Sequence, residues 1–384
     1  MTDKATHSEA PVPARRGFLK AGAAAAAAAA VLATPQVSRA QTVTLRFQST
    51  WPQRDIFHEF AQDYVSRVNA MSGGRLRLEL LPAGAVVGAF QLLDAVHAGT
   101  LDGGHGVAAY WFGRNRAFSL FGTTPPWFGN ANQFLGWFYY GGGEALYREL
   151  MHDIMRMNVV GFMSGPMPTQ PLGWFRNPIE RAEQLRGLRF RTVGLATDLF
   201  RELGAAVVAL PGGEIVPALE RGVIDAAEFN NPSSDRVLGF PDVAKNLYLQ
   251  SYHQAVECFE ILFNRQRYEA LPADLQAILR YGAEAASSDM SWKLQDRYSA
   301  DLLAMQQQQG VNVRTTPTSI LDAQLRAWDA VIQRQESDNS SPAAGPFFKK
   351  VCDSQRAWCR RVGNFFLRNE VSAVRSFNHF FARG

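Results

Sequence analysis

Arg191 is the residue of this sequence best placed to bind an anion. It lies in the segment LRFRTVG (188–194), where apolar and basic residues alternate as in a β-strand. An arginine at the carboxyl end of a strand lies at the edge of a sheet, and its flat guanidinium offers paired donors that match a carboxylate. Arg191 therefore either binds a ligand at that edge or is a surface arginine on the rim of the sheet.

Polar residues follow another predicted strand. The segment 224–229 is apolar enough to be buried, yet it runs into Glu228, Phe229 and Asn230. A carboxylate and an amide at a strand tip would be costly to bury without partners, so they predict a polar site. Gln170 offers an amide that donates and accepts hydrogen bonds. Tyr110 follows a short Gly-rich strand, where an aromatic side chain either lines a ligand site or belongs to the core.

The signatures of several enzyme classes are missing from the sequence. It contains no HExxH, CxxC, GxSxG or P-loop motif, and its seven histidines show no spacing typical of metal ligands. Glu228 as a general base in a secreted enzyme remains an alternative, but no histidine accompanies it in the sequence.

The same order of elements occurs twice. Segments 42–106 and 187–229 both predict β-α-β-α-β, and AVHAGTLD (95–102) matches ALERGVID (218–225) at a constant offset. The glycine is the expected left-handed helix stop, and the aspartate is interpreted as a structural residue of the turn. Two such units predict two lobes with parallel sheets, and ligands of such sheets bind beyond the carboxyl ends of the strands, here in a cleft between lobes.

The first 40 residues predict an export signal. Arg15 and Arg16 precede an Ala-rich apolar run, and Ser38-Arg39-Ala40 is typical of a cleavage site. The segment carries five basic and two acidic residues, so it accounts for +3 of the net charge of +4. The remaining +1 gives no reason to expect binding to nucleic acid or to an anionic membrane. We expect a soluble protein of the periplasm, exported by the twin-arginine route.

The last third predicts long helices over about 275–308, 319–337 and 347–381, the last interrupted near Gly363. That last helix is apolar on more than one side, so it either packs on its own lobes or forms a dimer contact. Cys352 and Cys359 are seven residues apart on it, about 10 Å, which is too far for a disulfide. With Cys258 they predict three free cysteines.

Taken together, six segments resemble the solute-binding proteins of tripartite ATP-independent periplasmic (TRAP) transporters, in particular the branch that binds 2-oxo acids. They are MSGGRL (71–76), FQLLDAVHAG (90–99), AAYW (108–111), YGGGEALY (140–147), GLRFR (187–191) and GGEIVPALERGVIDAAEF (212–229). The resemblance covers nearly all of the chain after residue 40. It implies a receptor, not an enzyme, that closes over a small carboxylate and delivers it to membrane subunits.

The resemblance also implies roles for residues. Arg191 corresponds to the arginine that holds the substrate carboxylate, and Tyr110 covers the ligand from the first lobe. A cation, sodium or calcium, is expected beside the substrate without any other cofactor. Its ligands would be Gln170, Glu228, the carbonyl of Phe229 and the residue at position 254. Phe229 stands where similar proteins have tryptophan, and Gln254 replaces a glutamate.

The predicted fold is therefore an α/β, two-lobed periplasmic binding protein of a type II-like class, with a central cleft, a hinge and long C-terminal helices. Lobe I is expected to comprise 41–164 with about 249–295, and lobe II 165–248 with about 300–340, followed by the helices of 341–384. The resemblance leads us to expect a 2-oxo or 2-hydroxy monocarboxylate such as pyruvate as the ligand. The alternatives are the receptor of an ATP-driven importer and a ligand-dependent partner of a membrane sensor.

Overall fold

A computed structural model of the chain describes residues 42–381. The predicted export signal lies outside these residues. The eleven strands of the described residues are β1 (Val43–Ser49), β2 (Leu76–Leu81), β3 (Gly103–Gly106), β4 (Val159–Met167), β5 (Gly173–Phe175), β6 (Arg189–Arg191), β7 (Ala206–Val208), β8 (Ala226–Ala227), β9 (Asn246–Leu249), β10 (Glu257–Asn264) and β11 (Asn312–Thr315).

Helices occupy most of the remaining described chain. The α-helices are α1 (Ile56–Met71), α2 (Leu92–His97), α3 (Ser119–Gly122), α4 (Ala131–Tyr140), α5 (Gly143–Arg148), α6 (Ala196–Glu202), α7 (Gly212–Glu220), α8 (Pro232–Leu238), α9 (Phe240–Val243), α10 (Arg265–Glu269), α11 (Ala273–Gln309), α12 (Thr318–Glu336), α13 (Gly345–Gly363) and α14 (Phe366–Phe381). Short 3-10 helices span Ala89–Gln91, Ala108–Trp111, Arg116–Phe118 and Ala182–Leu185, and a π-helix spans Glu149–Ile154. Within the described part of the chain, no helix has the length and apolar character needed to cross a membrane.

Helix α1 shows how local sequence sets the elements. The Asp55 carboxylate accepts a hydrogen bond from the Phe57 amide (3.2 Å) and so caps the first turn. Apolar residues recur at helical spacing and form the buried face: Ile56, Phe57, Phe60, Ala61, Tyr64, Val65 and Val68. Gly73 follows the helix with φ +58°, a conformation that glycine adopts without strain. The first helix of the β-α-β-α-β unit predicted over 42–106 is confirmed.

Two sheets form the centre of the fold. The first has the strand order β2-β1-β3-β10-β4, and the second has β11-β9-β5-β8-β6-β7. In each predicted β-α-β-α-β unit the first strand pairs in parallel with the other two, as β1 does with β2 and β3, and as β6 does with β7 and β8. The two predicted units are therefore confirmed.

The prediction of parallel sheets is wrong in one respect. Strand β10 runs antiparallel to both its neighbours in the first sheet, and β5 does so in the second. The chain passes from β4 to β5 and returns from β9 to β10, so each of these two strands enters its sheet from the other one. A strand that arrives from the other sheet begins beside the carboxyl ends of the parallel strands. It must therefore run antiparallel to them.

The matched aspartates have the same structural role in both units. Asp102 accepts a hydrogen bond from the backbone amide of Arg46 in β1 (2.8 Å), and Asp225 accepts one from that of Arg189 in β6 (3.0 Å). The glycines three residues earlier, Gly99 and Gly222, have positive φ as predicted. The repeated glycine and aspartate therefore have a structural role in both units.

The C-terminal segment forms two helices, with the break near Gly363 that the sequence predicted. Helix α13 buries Phe347, Phe348 and Val351 against the rest of the protein, whereas α14 has no buried residue. The three cysteines are free, as expected. The apolar side chains of this region that remain exposed are Phe365, Phe366, Val371, Val374, Phe377, Phe380 and Phe381.

Candidate functional site

The local sequence places Arg191 at the end of a central strand. In β6 the side chain of Phe190 is completely buried in the core of the second sheet. Arg189 and Arg191 share the opposite face, but Arg189 lies at the start of the strand, half exposed, where it pairs with Asp225. Arg191 is only 1% exposed. It therefore lies on the inside of the protein and not on a solvent-facing rim.

The guanidinium of Arg191 is fixed along one side and free along the other. Its Nε donates to the Leu210 carbonyl (2.8 Å), and its Nη1 donates to the carbonyl (2.9 Å) and to Oε1 (3.0 Å) of Glu228. Its Nη2 is buried without a hydrogen-bond partner. A buried charged donor without a partner is costly, and an anionic ligand would remove this cost.

Glu228 neutralises Arg191 and keeps one oxygen free. Its side chain is 1% exposed, and Oε2 has no hydrogen-bond partner. Burial raises the pKa of Glu228 to about 6, although the positive charge of Arg191 opposes this shift. The predicted strand over 224–229 extends only from Ala226 to Ala227, although the backbone amide of Glu228 still donates to the carbonyl of Arg191 (3.2 Å).

A second polar cluster connects the two sheets beside this ion pair. Gln170 donates through Nε2 to Oε2 of Glu257 (2.6 Å), and Asn230 donates to the same oxygen through Nδ2. Burial raises the pKa of Glu257 to about 8, and the charge of Glu228 contributes while the amide of Gln170 opposes the shift. Sequence reasoning missed Glu257. The available signal was a carboxylate at the start of the largely apolar strand β10, which also contains Glu260.

The segment from Ser251 to Gln254 lines the same region. The backbone carbonyl of Gln254 accepts a hydrogen bond from the Gln170 amide (3.2 Å), while both polar atoms of its buried side chain lack partners. Nδ1 of His253 contacts the Ser251 hydroxyl (2.6 Å). Burial, with the charge of Arg191, lowers the pKa of His253 to about 3, so this imidazole is neutral at pH 7.

Aromatic side chains from both sheets close the site. Tyr110, in the short helix after β3, packs on Trp51 and Phe90, and burial raises the pKa of its hydroxyl while the charge of Arg191 opposes the shift. Tyr110 therefore belongs to the core, and its role in covering a ligand stays a prediction. The ring of Phe229 lies 5.7 Å from Cζ of Arg191 and 5.8 Å from the ring of Phe57.

The unpartnered atoms suit a hard cation. Gln170 Oε1, Glu228 Oε2 and Gln254 Oε1 are buried oxygens without hydrogen bonds, and carboxylate and amide oxygens are the ligands that sodium and calcium take in proteins. Within residues 42–381 there is no metal-binding group of three His, Cys, Asp or Glu side chains. The three unpartnered side-chain oxygens fit a cation that takes oxygen ligands.

Comparison with known proteins identifies the family. Residues 47–338 match the model of DctP, the bacterial extracellular solute-binding protein family 7. The chain belongs to this family. Family 7 proteins are solute-binding receptors, so the alternative of a secreted enzyme with Glu228 as general base is excluded.

Similar proteins match over nearly their whole length. A monocarboxylate 2-oxoacid-binding periplasmic protein of Nostoc sp. is 29% identical over 364 residues, which cover 93% of this chain and 97% of that protein. A TRAP periplasmic solute-binding protein of Pseudoalteromonas atlantica, solved with bound sodium and pyruvate, is 29% identical, with a TM-score of 0.81 over 88% of this chain and 100% of that one.

A third similar protein, a TRAP transporter solute-binding protein of Bordetella bronchiseptica, is 28% identical, with a TM-score of 0.77 over 87% of this chain and 99% of that one. It was solved as a dimer with calcium and picolinate in one active site. These likenesses confirm the two-lobed binding-protein fold that the sequence predicts for this family 7 receptor.

Proposed function

We propose that this family 7 protein binds a small 2-oxo or 2-hydroxy monocarboxylate such as pyruvate, with Arg191 as the residue that holds the carboxylate. The observation that carries the proposal is the unpartnered Nη2 of a 1% exposed arginine. Its other nitrogens are fixed by Leu210 and Glu228, so the guanidinium is already oriented when the ligand arrives. The 2-oxo acid binder of Nostoc and the pyruvate-bound relative of Pseudoalteromonas support this substrate class.

Polar and aromatic residues around Arg191 would complete the ligand site. Asn230 and Gln170 supply amides for the 2-oxo or 2-hydroxy oxygen, and Tyr110 covers the ligand from the first sheet. Phe229, with its ring near the guanidinium, forms an apolar wall for a short carbon chain. Such a wall disfavours a second carboxylate, because a buried charge without a partner is costly.

A cation would bind beside the carboxylate. Its proposed ligands are the side-chain oxygens of Gln170, Glu228 and Gln254 and the backbone carbonyl of Phe229. When bound, the cation supplies a positive charge that a ligand oxygen contacts. The sodium and calcium of the related structures support this assignment.

Titration calorimetry with a panel of small acids tests the proposal. We expect pyruvate or a similar 2-oxo acid to bind, and we expect Arg191→Ala to weaken binding by about 2 kcal/mol or more, roughly thirtyfold, because it removes a charged partner. Arg189→Ala is the matched control, since Arg189 lies two residues earlier and pairs with Asp225 at the surface. Wild-type affinity in the Arg191 variant would contradict the assigned role.

We also propose that the chain is exported to the periplasm by the twin-arginine route and delivers its ligand to TRAP membrane subunits. The family match and the TRAP-associated relatives support this context. The receptor of an ATP-driven importer and a partner of a membrane sensor are the alternatives. Uptake measured in cells that express the chain with its genetically neighbouring membrane subunits distinguishes them, because a TRAP system contains no ATPase subunit.

We propose a homodimer formed through the C-terminal helices. Helix α14 exposes apolar side chains that include Phe377 (59%), Phe380 (69%) and Phe381 (75%), and a second copy would cover them. The dimeric relative of Bordetella supports a second copy of the chain as the partner of α14. Light scattering should give twice the monomer mass for the full chain and a monomer for a chain ending at Gly363. A dimer that survives this truncation would refute the role of α14.

A further inference from the structure

The position of Glu257 gives the site a second carboxylate. The residue begins β10 in the first sheet, is 5% exposed, and receives hydrogen bonds from Gln170 and from Asn230 of the second sheet. Both donors bond to Oε2, which leaves Oε1 for another partner. A carboxylate fixed by two amides at the junction of both sheets is a built feature and not an incidental surface charge.

The amide of Gln170 also indicates where a partner of Glu257 Oε1 would lie. Gln170 uses its Nε2 for Glu257, and its own Oε1 is buried without a partner. Glu228, whose Oε2 is also unpartnered, lies two residues before Asn230, which donates to Glu257. Two carboxylates and an amide oxygen, all buried, form the oxygen-rich set that a hard cation takes.

The formal charges of the site favour a divalent ion. A cation would bind Glu257 in its deprotonated form. In that state Glu228 and Glu257 contribute two negative charges against the one positive charge of Arg191, and a bound monocarboxylate adds a third negative charge. The loaded site would then carry a net charge of about −2, which is costly to bury. A calcium ion cancels that charge, whereas a sodium ion leaves half of it.

We propose that Glu257 is a ligand of the cation and supplies the second negative charge, with calcium bound in preference to sodium when the carboxylate binds. This inference rests on the proposed function and goes beyond it by naming a residue and an ion. In this arrangement Gln254 remains a neutral oxygen donor, and the site still has two carboxylates. The cation thereby joins the first sheet, through Glu257, to the second, through Glu228.

Calorimetry on the full mature chain tests this assignment. Chelator-treated protein is titrated with calcium chloride and separately with sodium chloride, each with saturating pyruvate. We expect calcium to bind about tenfold or more tighter than sodium, and Glu257→Gln to weaken calcium binding by about tenfold or more. Glu260→Gln is the matched control. It is a buried glutamate on the same strand that accepts hydrogen bonds from Trp111 and Tyr147, and it should stay within about twofold of wild type.

Each outcome decides the proposal. Wild-type calcium affinity in Glu257→Gln overturns the role of Glu257. The divalent preference is overturned if pyruvate binds equally tightly in calcium and in sodium with a chelator present. If Glu257→Gln does not fold, Glu257→Asp keeps the charge but shortens the side chain, and unchanged calcium affinity in that variant also overturns the role. If one of these contradicting results is obtained and Arg191→Ala still loses pyruvate binding, the proposed function holds while this inference fails. No binding of any small acid by the wild type would refute the proposed function itself.

Discussion

At the residue scale, buried charged side chains differ in how completely their polar atoms are hydrogen-bonded. Arg191 has one nitrogen without a partner, and Glu228 has one oxygen without a partner. Glu260, by contrast, is a fully buried carboxyl whose oxygens accept hydrogen bonds from Trp111 and Tyr147. The first two residues keep binding capacity for a ligand, whereas Glu260 is satisfied within the protein. Satisfaction of hydrogen bonds, more than burial, separates binding residues from structural ones here.

Glu260 should make stability depend on pH. Burial raises its pKa from 4.5 to about 7, although its hydrogen bonds with Tyr147 and Trp111 oppose the shift. The folded state thus binds the proton more tightly than the unfolded state, and this stabilisation is present below about pH 4.5 and lost as pH rises through about 7. The loss amounts to about 3 kcal/mol.

Urea unfolding of wild type and Glu260→Gln at about pH 5 and about pH 8 measures this contribution. The wild type should lose more free energy of unfolding between the two pH values than the variant does. Other buried carboxyls titrate in the same range, so the difference between the two proteins is the relevant quantity. Equal losses in both would show that Glu260 is not the group responsible.

At the scale of elements, the sequence predicted what is local. The amphipathic spacing of α1 and the strand pattern of β1 depend on neighbouring residues, and both elements belong to the unit predicted over 42–106. Strand β10 depends on partners about 100 and 150 residues away in β4 and β3, so its antiparallel direction could not be predicted from its own sequence.

The candidate site shows the same limit. Arg191, Glu228 and Phe229 are close in the structure because β6 and β8 pair, which the repeated unit predicted. Gln170 and Asn230 meet at Glu257 only because the chain crosses between the sheets. Glu257 is one of two glutamates in a largely apolar strand and has no distinctive spacing, so sequence analysis did not identify it.

The repeated aspartates lead to a prediction about the strands. Asp102→Ala leaves the backbone amide of Arg46 without its partner, and it also removes the ion pair with Arg267. We expect the free energy of unfolding to fall by about 1–3 kcal/mol, without a change in ligand affinity. Asp225→Ala should cost less, since that side chain is 34% exposed against 12% for Asp102. A larger loss in Asp225→Ala, measured by urea unfolding, would contradict this order.

At the scale of the whole molecule, contacts across the site hold the two sheets and their flanking helices together. Asp55, at the start of α1, accepts a hydrogen bond from the hydroxyl of Ser234 in α8, and Arg54 donates to the carbonyl of Leu238 (3.1 Å). These contacts join the helix that follows β1 of the first sheet to the helix that follows β8 of the second. We interpret this conformation as the closed state of a receptor with a hinge.

Ser234→Ala should weaken closure. It removes the hydroxyl that Asp55 accepts from, and we expect ligand affinity to fall by about 1 kcal/mol, roughly fivefold, mainly through faster ligand release. Stopped-flow release of the ligand measures this effect. Ser233→Ala is the control, because that neighbouring hydroxyl donates to Asp301 of α11 (2.6 Å) and not to Asp55. Equal release rates in wild type and Ser234→Ala would contradict the role of this contact.

The interleaved order of the strands also bears on biosynthesis. The first sheet needs β10 between β3 and β4, and the second needs β11 at its edge after β9. A nascent chain that has emerged only as far as β4 cannot complete either sheet, because β10 and β11 lie later in the sequence. Assembly must therefore finish late in translation, so chaperones have a long interval in which to act before the polypeptide is released.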